Sequence, residues 1–204
     1  PEQVFVADSL ALLGDEQAST VIDGFAPLLP LEALLLRAEL RAAQQRPADA
    51  AELLLTYFHQ HRDNPWVWLS LSSRPLNLAA RLGADPAIAA RLLPVLLSPF
   101  AVQTDNELRL TTALALAAAT GDPRLCVQAL EPLEPHFPWH EEPLRLRLDC
   151  YAATGHPRLE RARADLILDG TLKPGPDITL SDGSQRAWVT RSSPAATTGG
   201  CGTD

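Results

Sequence analysis

Two short stretches of the chain are almost identical and lie 34 residues apart. Residues 118–125 read Ala-Ala-Thr-Gly-Asp-Pro-Arg-Leu and residues 152–159 read Ala-Ala-Thr-Gly-His-Pro-Arg-Leu, so seven of the eight positions match. A period of this length is typical of a unit made of two helices and a turn. Because both copies stand between segments whose apolar residues have helical spacing, the repeat predicts stacked helical hairpins rather than a closed enzyme fold.

The length and composition are consistent with one helical domain followed by a tail. A chain of 204 residues is long enough for an array of about five hairpins. Leu and Ala dominate and aromatic residues make up only 5%, which favours helices with an aliphatic core. After Gly170 the chain becomes rich in Pro, Gly, Ser and Thr, with one possible short hairpin at 178–189. We therefore expect a helical repeat domain at 1–170, and a linker and flexible tail at 171–204.

The charge balance and the cysteines restrict the class of partner and the compartment. Seventeen basic against twenty-five acidic residues leave a formal net charge of −8, which disfavours nucleic acid as a partner. No apolar run reaches the roughly 18 residues that a membrane-spanning helix needs, and the first residues lack the layout of a secretory signal. Three cysteines without C-x-x-C spacing favour a reducing compartment. We expect a cytoplasmic protein without membrane insertion.

Helical spacing and capping residues predict ten helices. Asp85-Pro86 and Asp122-Pro123 are N-cap and first-turn pairs, whereas Pro94 is expected to kink or end the helix that contains it. Trp66 and Trp68 are expected to pack between hairpins, with ligand stacking as the alternative. The predicted helices span residues 4–13, 15–26, 31–44, 48–61, 76–82, 86–97, 105–119, 123–133, 139–153 and 157–169.

Several positions within residues 31–169 match a known helical repeat pattern. The pattern has Gly at the turn, a small residue inside the second helix, and a Pro followed by an aromatic residue or Leu at the junction between units. Gln45 stands where a turn Gly is expected, Arg37 stands where an apolar residue is expected, and the spacing is irregular between residues 69 and 103. The matching residues are Gly121 and Gly155; Ala50 and Cys126; Pro138, Leu144, Leu148 and Tyr151; and Asp63-Asn64-Pro65 followed by Trp68. On these residues the chain resembles the tetratricopeptide repeats.

This resemblance implies an all-α, right-handed superhelical array of antiparallel hairpins. In such an array the first helices of successive units line a concave groove that holds a peptide or a helix. The implied function is a non-catalytic interaction module or scaffold without cofactors, and its oligomeric state is left open. An acidic groove with an apolar centre suits a protein partner with basic flanks and an apolar middle. The implied groove residues are Glu32, Leu35, Glu39, Leu108, Thr111, Ala115, Glu142, Arg145 and Asp149.

A second resemblance suggests an alternative function. Residues 126–139 and 150–157 are similar to repeat segments that are appended to spermidine-synthase-like polypeptides. The Gly-rich loop and the acidic catalytic motif of such enzymes are absent from the sequence. This resemblance implies an accessory helical-repeat domain of a larger enzyme or assembly, which would dock through its outer helices or its tail.

Catalytic and metal-binding patterns find little support in the sequence. No phosphate-binding loop, nucleotide fingerprint, nucleophile elbow or H-E-x-x-H motif occurs. His59 and His61 stand at a helix end, where the helix dipole favours a cation. Cys201 is expected to be an exposed tail thiol, either inert or open to modification. A metal- or thiol-dependent enzyme is the third alternative, and its candidate ligands are Cys126, Cys150, His136, His140 and His156, which are otherwise structural.

Overall fold

A computed structural model of the chain describes residues 2–64 and 73–170. Within these two stretches the chain forms ten α-helices and a short 3₁₀ turn, and it contains no β-strand. The prediction of an all-α fold is therefore confirmed. The helices are α1 (Glu2–Leu12), α2 (Gln17–Phe25), α3 (Pro30–Ala43), α4 (Pro47–Arg62), α5 (Arg74–Leu82), α6 (Pro86–Leu97), α7 (Asn106–Ala119), α8 (Pro123–Leu130), α9 (Glu141–Thr154) and α10 (Leu159–Leu168), with the 3₁₀ turn at Glu134–His136.

Local sequence signals account for where the helices begin. Proline occupies the first turn of α3, α4, α5, α6 and α8, where its missing N–H costs no helical hydrogen bond. The Asp85 carboxylate accepts a hydrogen bond from the Ala87 N–H at 2.8 Å, and Asp122 accepts one from the Arg124 N–H at 2.9 Å. Both predicted N-caps are confirmed. Pro94 lies inside α6, which continues to Leu97, so the expectation that it could end the helix is wrong.

The turns within the α3/α4, α7/α8 and α9/α10 pairs share one backbone conformation, whereas Gly83 between α5 and α6 has a φ of −70°. Gly121 and Gly155 have φ values of +72° and +62°, in the left-handed region that glycine adopts at little cost. Gln45, which replaces the turn glycine between α3 and α4, has a φ of +59°. The departure from the glycine pattern therefore leaves the turn geometry unchanged. The backbone of Gln45 is strained, because a residue with a Cβ atom rarely adopts a positive φ.

Most contacts join helices that follow one another in the chain, and α6 packs more extensively on α7 than on α5. In the pairs α1/α2, α3/α4, α7/α8 and α9/α10 the two helices pack against each other. Helix α1 also contacts α3, and α7 contacts both α5 and α9. Helix α7 is central among these contacts, since it packs against α5, α6, α8 and α9. The superhelical twist stays a prediction.

The buried apolar residues form two cores that meet at α3. The larger core extends from α3 to α10, and the smaller one is formed by α1, α2 and α3. Two faces of α3 are buried: Leu31, Leu35 and Ala38 belong to the larger core, whereas Ala33, Leu36 and Leu40 belong to the smaller one. This double burial makes α3 the element that joins the first helical pair to the rest of the domain.

Some sequence predictions fall on residues that the structure does not describe. These are the packing of Trp66 and Trp68, the short hairpin at 178–189, the flexible tail and the exposure of Cys201. Among the helices of residues 2–64 and 73–170, none is both long enough and apolar enough to cross a membrane.

Candidate binding groove

An open groove of about 480 Å³ runs between α5, α7 and α9, and we call it the α5–α7–α9 groove. Helices α7 and α9 are the first helices of the α7/α8 and α9/α10 pairs, and α5 packs against α7. Four of the nine sequence-predicted groove residues line it, namely Leu108, Thr111 and Ala115 from α7 and Glu142 from α9. The other lining residues are Asn77, Ala80, Glu107, Thr112, Leu114, His140, Pro143 and Leu146.

The middle of the groove is apolar and contains small side chains. Leu108 and Leu146 are half-buried and pack against the larger core, while Ala80 and Ala115 leave room for an approaching chain. The Thr111 hydroxyl donates within its own helix to the carbonyl oxygens of Glu107 and Leu108, at 3.0 and 3.1 Å. Because the hydrogen of this hydroxyl is already used, Thr111 can only accept a hydrogen bond from a ligand, and the centre of the groove offers mainly apolar burial.

The charged groups of the groove are acidic. Glu107 and Glu142 are exposed, and neither forms an ion pair with any residue that the structure describes. The lining contains no Lys or Arg, and His140 is its one basic side chain. Two free carboxylates beside an apolar centre attract a cationic ligand with an apolar side chain.

The predictions for two residues of α3 need correction. Leu35 is only 1% exposed and belongs to the larger core, so the prediction that it faces a groove is wrong. Glu39 was expected on the exposed side of α3, but it is 6% exposed and accepts hydrogen bonds from Arg74 of α5, one of them at 3.0 Å. Burial raises the pKa of Glu39, although the Arg74 guanidinium opposes this shift. Its carboxylate is therefore committed to holding α3 against α5.

The remaining three predicted residues lie outside the α5–α7–α9 groove. Glu32 is half-buried in the first turn of α3 and is absent from the groove lining. Arg145 is exposed and pairs with Glu141 at 2.7 Å, one turn earlier in α9. Asp149 lines a separate depression between α7, α8 and α9. The structure thus does not bring all nine residues together on one surface.

The depression that contains Asp149 also contains two bonded cysteines. Cys126 of α8 and Cys150 of α9 form a disulfide, with their Cα atoms 5.8 Å apart. They are 3% and 5% exposed, which confirms that both are small buried residues of the helical faces. The depression has a volume of about 420 Å³, and Asp122 and Asp149 lie on it. This bond runs against the expectation that the cysteines indicate a reducing compartment, and it could not be read from the sequence because it depends on how α8 and α9 pack.

A largely buried ionic cluster joins α9 to α10 and to the 3₁₀ turn. We call it the Arg147 cluster, and it consists of Arg147, Glu134, Asp165, Tyr151 and Arg158. Arg147 donates to both oxygens of Glu134, at 2.7 and 3.0 Å, and to Asp165 of α10 at 2.6 Å. The Tyr151 hydroxyl donates to Glu134 at 2.5 Å, and Arg158 pairs with Glu134 at 3.3 Å. Burial alone would raise the pKa of Glu134, but the hydrogen bonds from Arg147 and Tyr151 and the charges of Arg147 and Arg158 outweigh it and lower that pKa.

The histidines do not form a cluster with the cysteines. No group of three or more His, Cys, Asp or Glu side chains within residues 2–64 and 73–170 is placed to hold a metal ion. His156 stacks on Tyr151 with the ring centroids 4.1 Å apart, whereas His140 lines the α5–α7–α9 groove. His61 is buried against Tyr57, and burial lowers its pKa, so the expectation of a dipole-stabilised cation is wrong for this residue.

Sequence analysis missed the contribution of α5 and part of α9 to the groove. Asn77 and Ala80 are exposed and lie three residues apart on α5, opposite the buried Leu76 and Ala79. The exposed face that carries Asn77 and Ala80 could have indicated a groove. The irregular spacing between residues 69 and 103 prevented the assignment of this segment to a repeat unit. Leu146, which is half-buried, was not among the predicted groove residues, because half-buried and fully buried leucines look alike in sequence.

Comparisons with protein-family models, with curated proteins and with solved structures found no match. The function of the groove is therefore argued from its own chemistry. That chemistry is an apolar centre of small and aliphatic side chains with free carboxylates at its edge.

Proposed function

We propose that the protein is a non-catalytic interaction module that holds a peptide or helix of a protein partner in the α5–α7–α9 groove. The observation that carries the proposal is the lining of this groove by α5, α7 and α9, with Leu108, Thr111 and Ala115 at the centre and Glu142 at the edge. The proposal includes a right-handed superhelical stacking of the hairpins, as in the tetratricopeptide repeats, with the groove on the concave side.

The groove chemistry favours one kind of ligand segment. A Leu or Ile side chain buried beside Leu108 and Leu146 would contribute about 1.5–3 kcal/mol from the removal of apolar surface from water. Lys or Arg residues on either side of it would meet Glu107 and Glu142, which are exposed and unpaired within the described residues. Such exposed charges add selectivity and speed association more than they add affinity.

The groove is supported by elements that are already rigid. Leu114 and Leu116 of α7 are 0% and 1% exposed and fix this helix in the larger core. Glu39 and Arg74 hold α5 against α3, and the Arg147 cluster holds α9. Because little of the lining has to be ordered on binding, a bound segment would cost less conformational entropy than it would on a flexible surface.

Binding of a labelled peptide tests this proposal. The probe is a fluorescein-labelled peptide of a dozen residues with a central Leu-Leu and flanking Arg residues, measured by fluorescence anisotropy. We expect Leu108→Asp to weaken its binding at least about tenfold, because it places a charge in the apolar centre. Glu142→Arg is expected to weaken it about threefold to fivefold, with a smaller effect at high salt.

Matched controls separate the groove from general surface effects. Leu168→Asp makes the same change at a leucine of α10 that is 70% exposed and lies outside the groove, and it should bind the probe as the wild type does. A second peptide with Glu in place of each Arg should bind weakly to every protein. If Leu168→Asp and Glu142→Arg affect the probe equally, the groove is not the binding site, and this comparison stands even if Leu108→Asp fails to fold.

A further inference from the structure

We propose that the Cys126–Cys150 disulfide is a reversible redox switch that fixes α9, and with it one wall of the α5–α7–α9 groove. The expected effect on peptide binding rests on the proposed function, whereas the reduction of the disulfide and the release of α9 do not. In the disulfide state α9 is held against α8, and in the dithiol state the α9/α10 pair is released to open away from α7.

The position of the bond gives it this role. It joins α8 and α9, which belong to consecutive helical pairs and are otherwise connected by the segment 131–140. Leu146 lies one helical turn before Cys150 and lines both the groove and the depression beside the disulfide. Because Leu146 and Cys150 share one rigid helix, a shift of α9 at the disulfide moves the groove wall as well.

Apart from the disulfide, the α9/α10 pair is attached to the domain by the packing of α9 on α7 and α8 and by ionic contacts. Helix α10 buries only Ala162 and Leu166, whereas α3 alone buries seven side chains. The Arg147 cluster connects α9 to Glu134 in the preceding segment and to Asp165 in α10. Neither of these ionic contacts reaches α7 or α8. Among the described residues, the disulfide is therefore the one covalent cross-link that adds to the packing of α9 on the preceding pair.

The chemistry is thiol–disulfide exchange with a small dithiol or disulfide. In reduction, one thiolate of the reagent attacks a protein sulfur and forms a mixed disulfide, and the second reagent thiol then displaces the other cysteine. Two protein thiols and one oxidised reagent result, so electrons and protons balance. The sulfurs lie on an open depression, and the carboxylates of Asp122 and Asp149 on it disfavour an anionic reagent such as glutathione relative to neutral dithiothreitol.

The expected effect is local. The bond spans a sequence separation of 24 residues, and its loss raises the population of the open form, relative to the closed form, by roughly a hundredfold. We expect faster amide hydrogen exchange in α9 and α10 in the dithiol form, by about that factor, and unchanged exchange in α3 and α4. Affinity for the groove probe should fall about tenfold, since the form in which α9 lines the groove is then only partly populated.

The experiment uses the full chain with Cys201→Ser, so that two cysteines remain. The protein is oxidised with the linear disulfide of 2-mercaptoethanol or reduced with dithiothreitol, the number of free thiols is read by alkylation and intact mass, and exchange is followed by mass spectrometry. Cys126→Ser with Cys150→Ser is the control that should behave like the reduced protein under both conditions. Free thiols after oxidation, or equal exchange in α9 before and after reduction, would overturn the proposal.

The probe peptide then separates this inference from the proposed function. If the probe binds the oxidised protein and binds more weakly after reduction, both stand. If the exchange in α9 changes on reduction while no probe binds in either state, the redox switch stands and the peptide-binding function fails. If the probe binds equally in both states and the exchange in α9 is also equal, the switch fails and the groove function stands.

Discussion

Gln45 shows how a single residue can depart from its expected type without changing the fold. Its φ of +59° matches the +72° and +62° of Gly121 and Gly155 at the corresponding turns. A side chain in this region crowds its own backbone, at a cost of about 1–2 kcal/mol. Gln45 is exposed, so the surroundings do not demand a long side chain there. The packing of α3 against α4 holds the turn between them in this conformation.

We therefore expect Gln45→Gly to stabilise the protein. Relief of backbone strain exceeds the extra entropy of glycine in the unfolded chain, which leaves a gain of about 0.5–1 kcal/mol in the free energy of unfolding. Urea denaturation followed by circular dichroism measures it. Ala90→Gly, at an exposed position inside α6, should instead cost about 1 kcal/mol. A loss of stability in both variants would contradict the strain at Gln45.

At the scale of elements, the Arg147 cluster holds α9, α10 and the 3₁₀ turn together. The Arg147 side chain is 2% exposed and that of Glu134 is 7% exposed, so this ion pair is shielded from water. The Arg147 guanidinium also lies 4.7 Å from the centre of the Phe137 ring. Such a buried charge is tolerated because every partner is hydrogen-bonded, and removing one partner leaves the other uncompensated.

Replacing Glu134 by Gln should reduce stability in a pH-dependent way. The folded protein holds the pKa of Glu134 below its unfolded value, so the carboxylate stabilises the fold above that unfolded value and loses this contribution as pH falls through the folded pKa. We expect a deficit of about 2–3 kcal/mol at pH 7 that narrows below about pH 4. Urea denaturation across this pH range measures the deficit.

The control for this prediction is Glu160→Gln. Glu160 pairs with Arg163 at the surface of α10, and its side chain is 74% exposed. An exposed pair of this kind contributes less than about 0.5 kcal/mol. A deficit for Glu134→Gln that stays constant from pH 7 to well below pH 4 would show that shape, rather than charge, accounts for its effect.

At the scale of the whole molecule, the two cores predict that the domain unfolds in parts. Ile22 is fully buried in the smaller core and Leu114 is fully buried in the larger one. Helical stacks in which each unit contacts mainly its neighbours have stabilities that vary along the chain. Since only α3 buries side chains in both cores, the α1/α2 pair can open while α4 to α10 stay folded.

Two alanine variants test this division by amide hydrogen exchange. Ile22→Ala and Leu114→Ala should each cost about 2–4 kcal/mol where they act. We expect Ile22→Ala to speed exchange in α1 and α2 and to leave α7 unchanged, whereas Leu114→Ala should speed exchange in α5 to α9. Equal acceleration in all helices by either variant would mean that the domain unfolds as one unit.

The sequence by itself determined the helices and their turns. Helical spacing, the capping pairs Asp85-Pro86 and Asp122-Pro123, and the glycines at 121 and 155 act within a few residues of themselves, so they can be read without knowing the fold. The resemblance to tetratricopeptide repeats, rather than local spacing, suggested Leu108, Thr111, Ala115 and Glu142, which line the α5–α7–α9 groove, and their role in binding stays a prediction.

Only the tertiary structure decided which of these faces are covered. Leu35 and Glu39 have groove-like spacing on α3, but a second core on this helix and Arg74 from α5 take up its available surface. The bond between Cys126 and Cys150 likewise depends on the distance between α8 and α9. Burial and pairing are properties of two elements together, and no pattern within one helix contains the position of its neighbour.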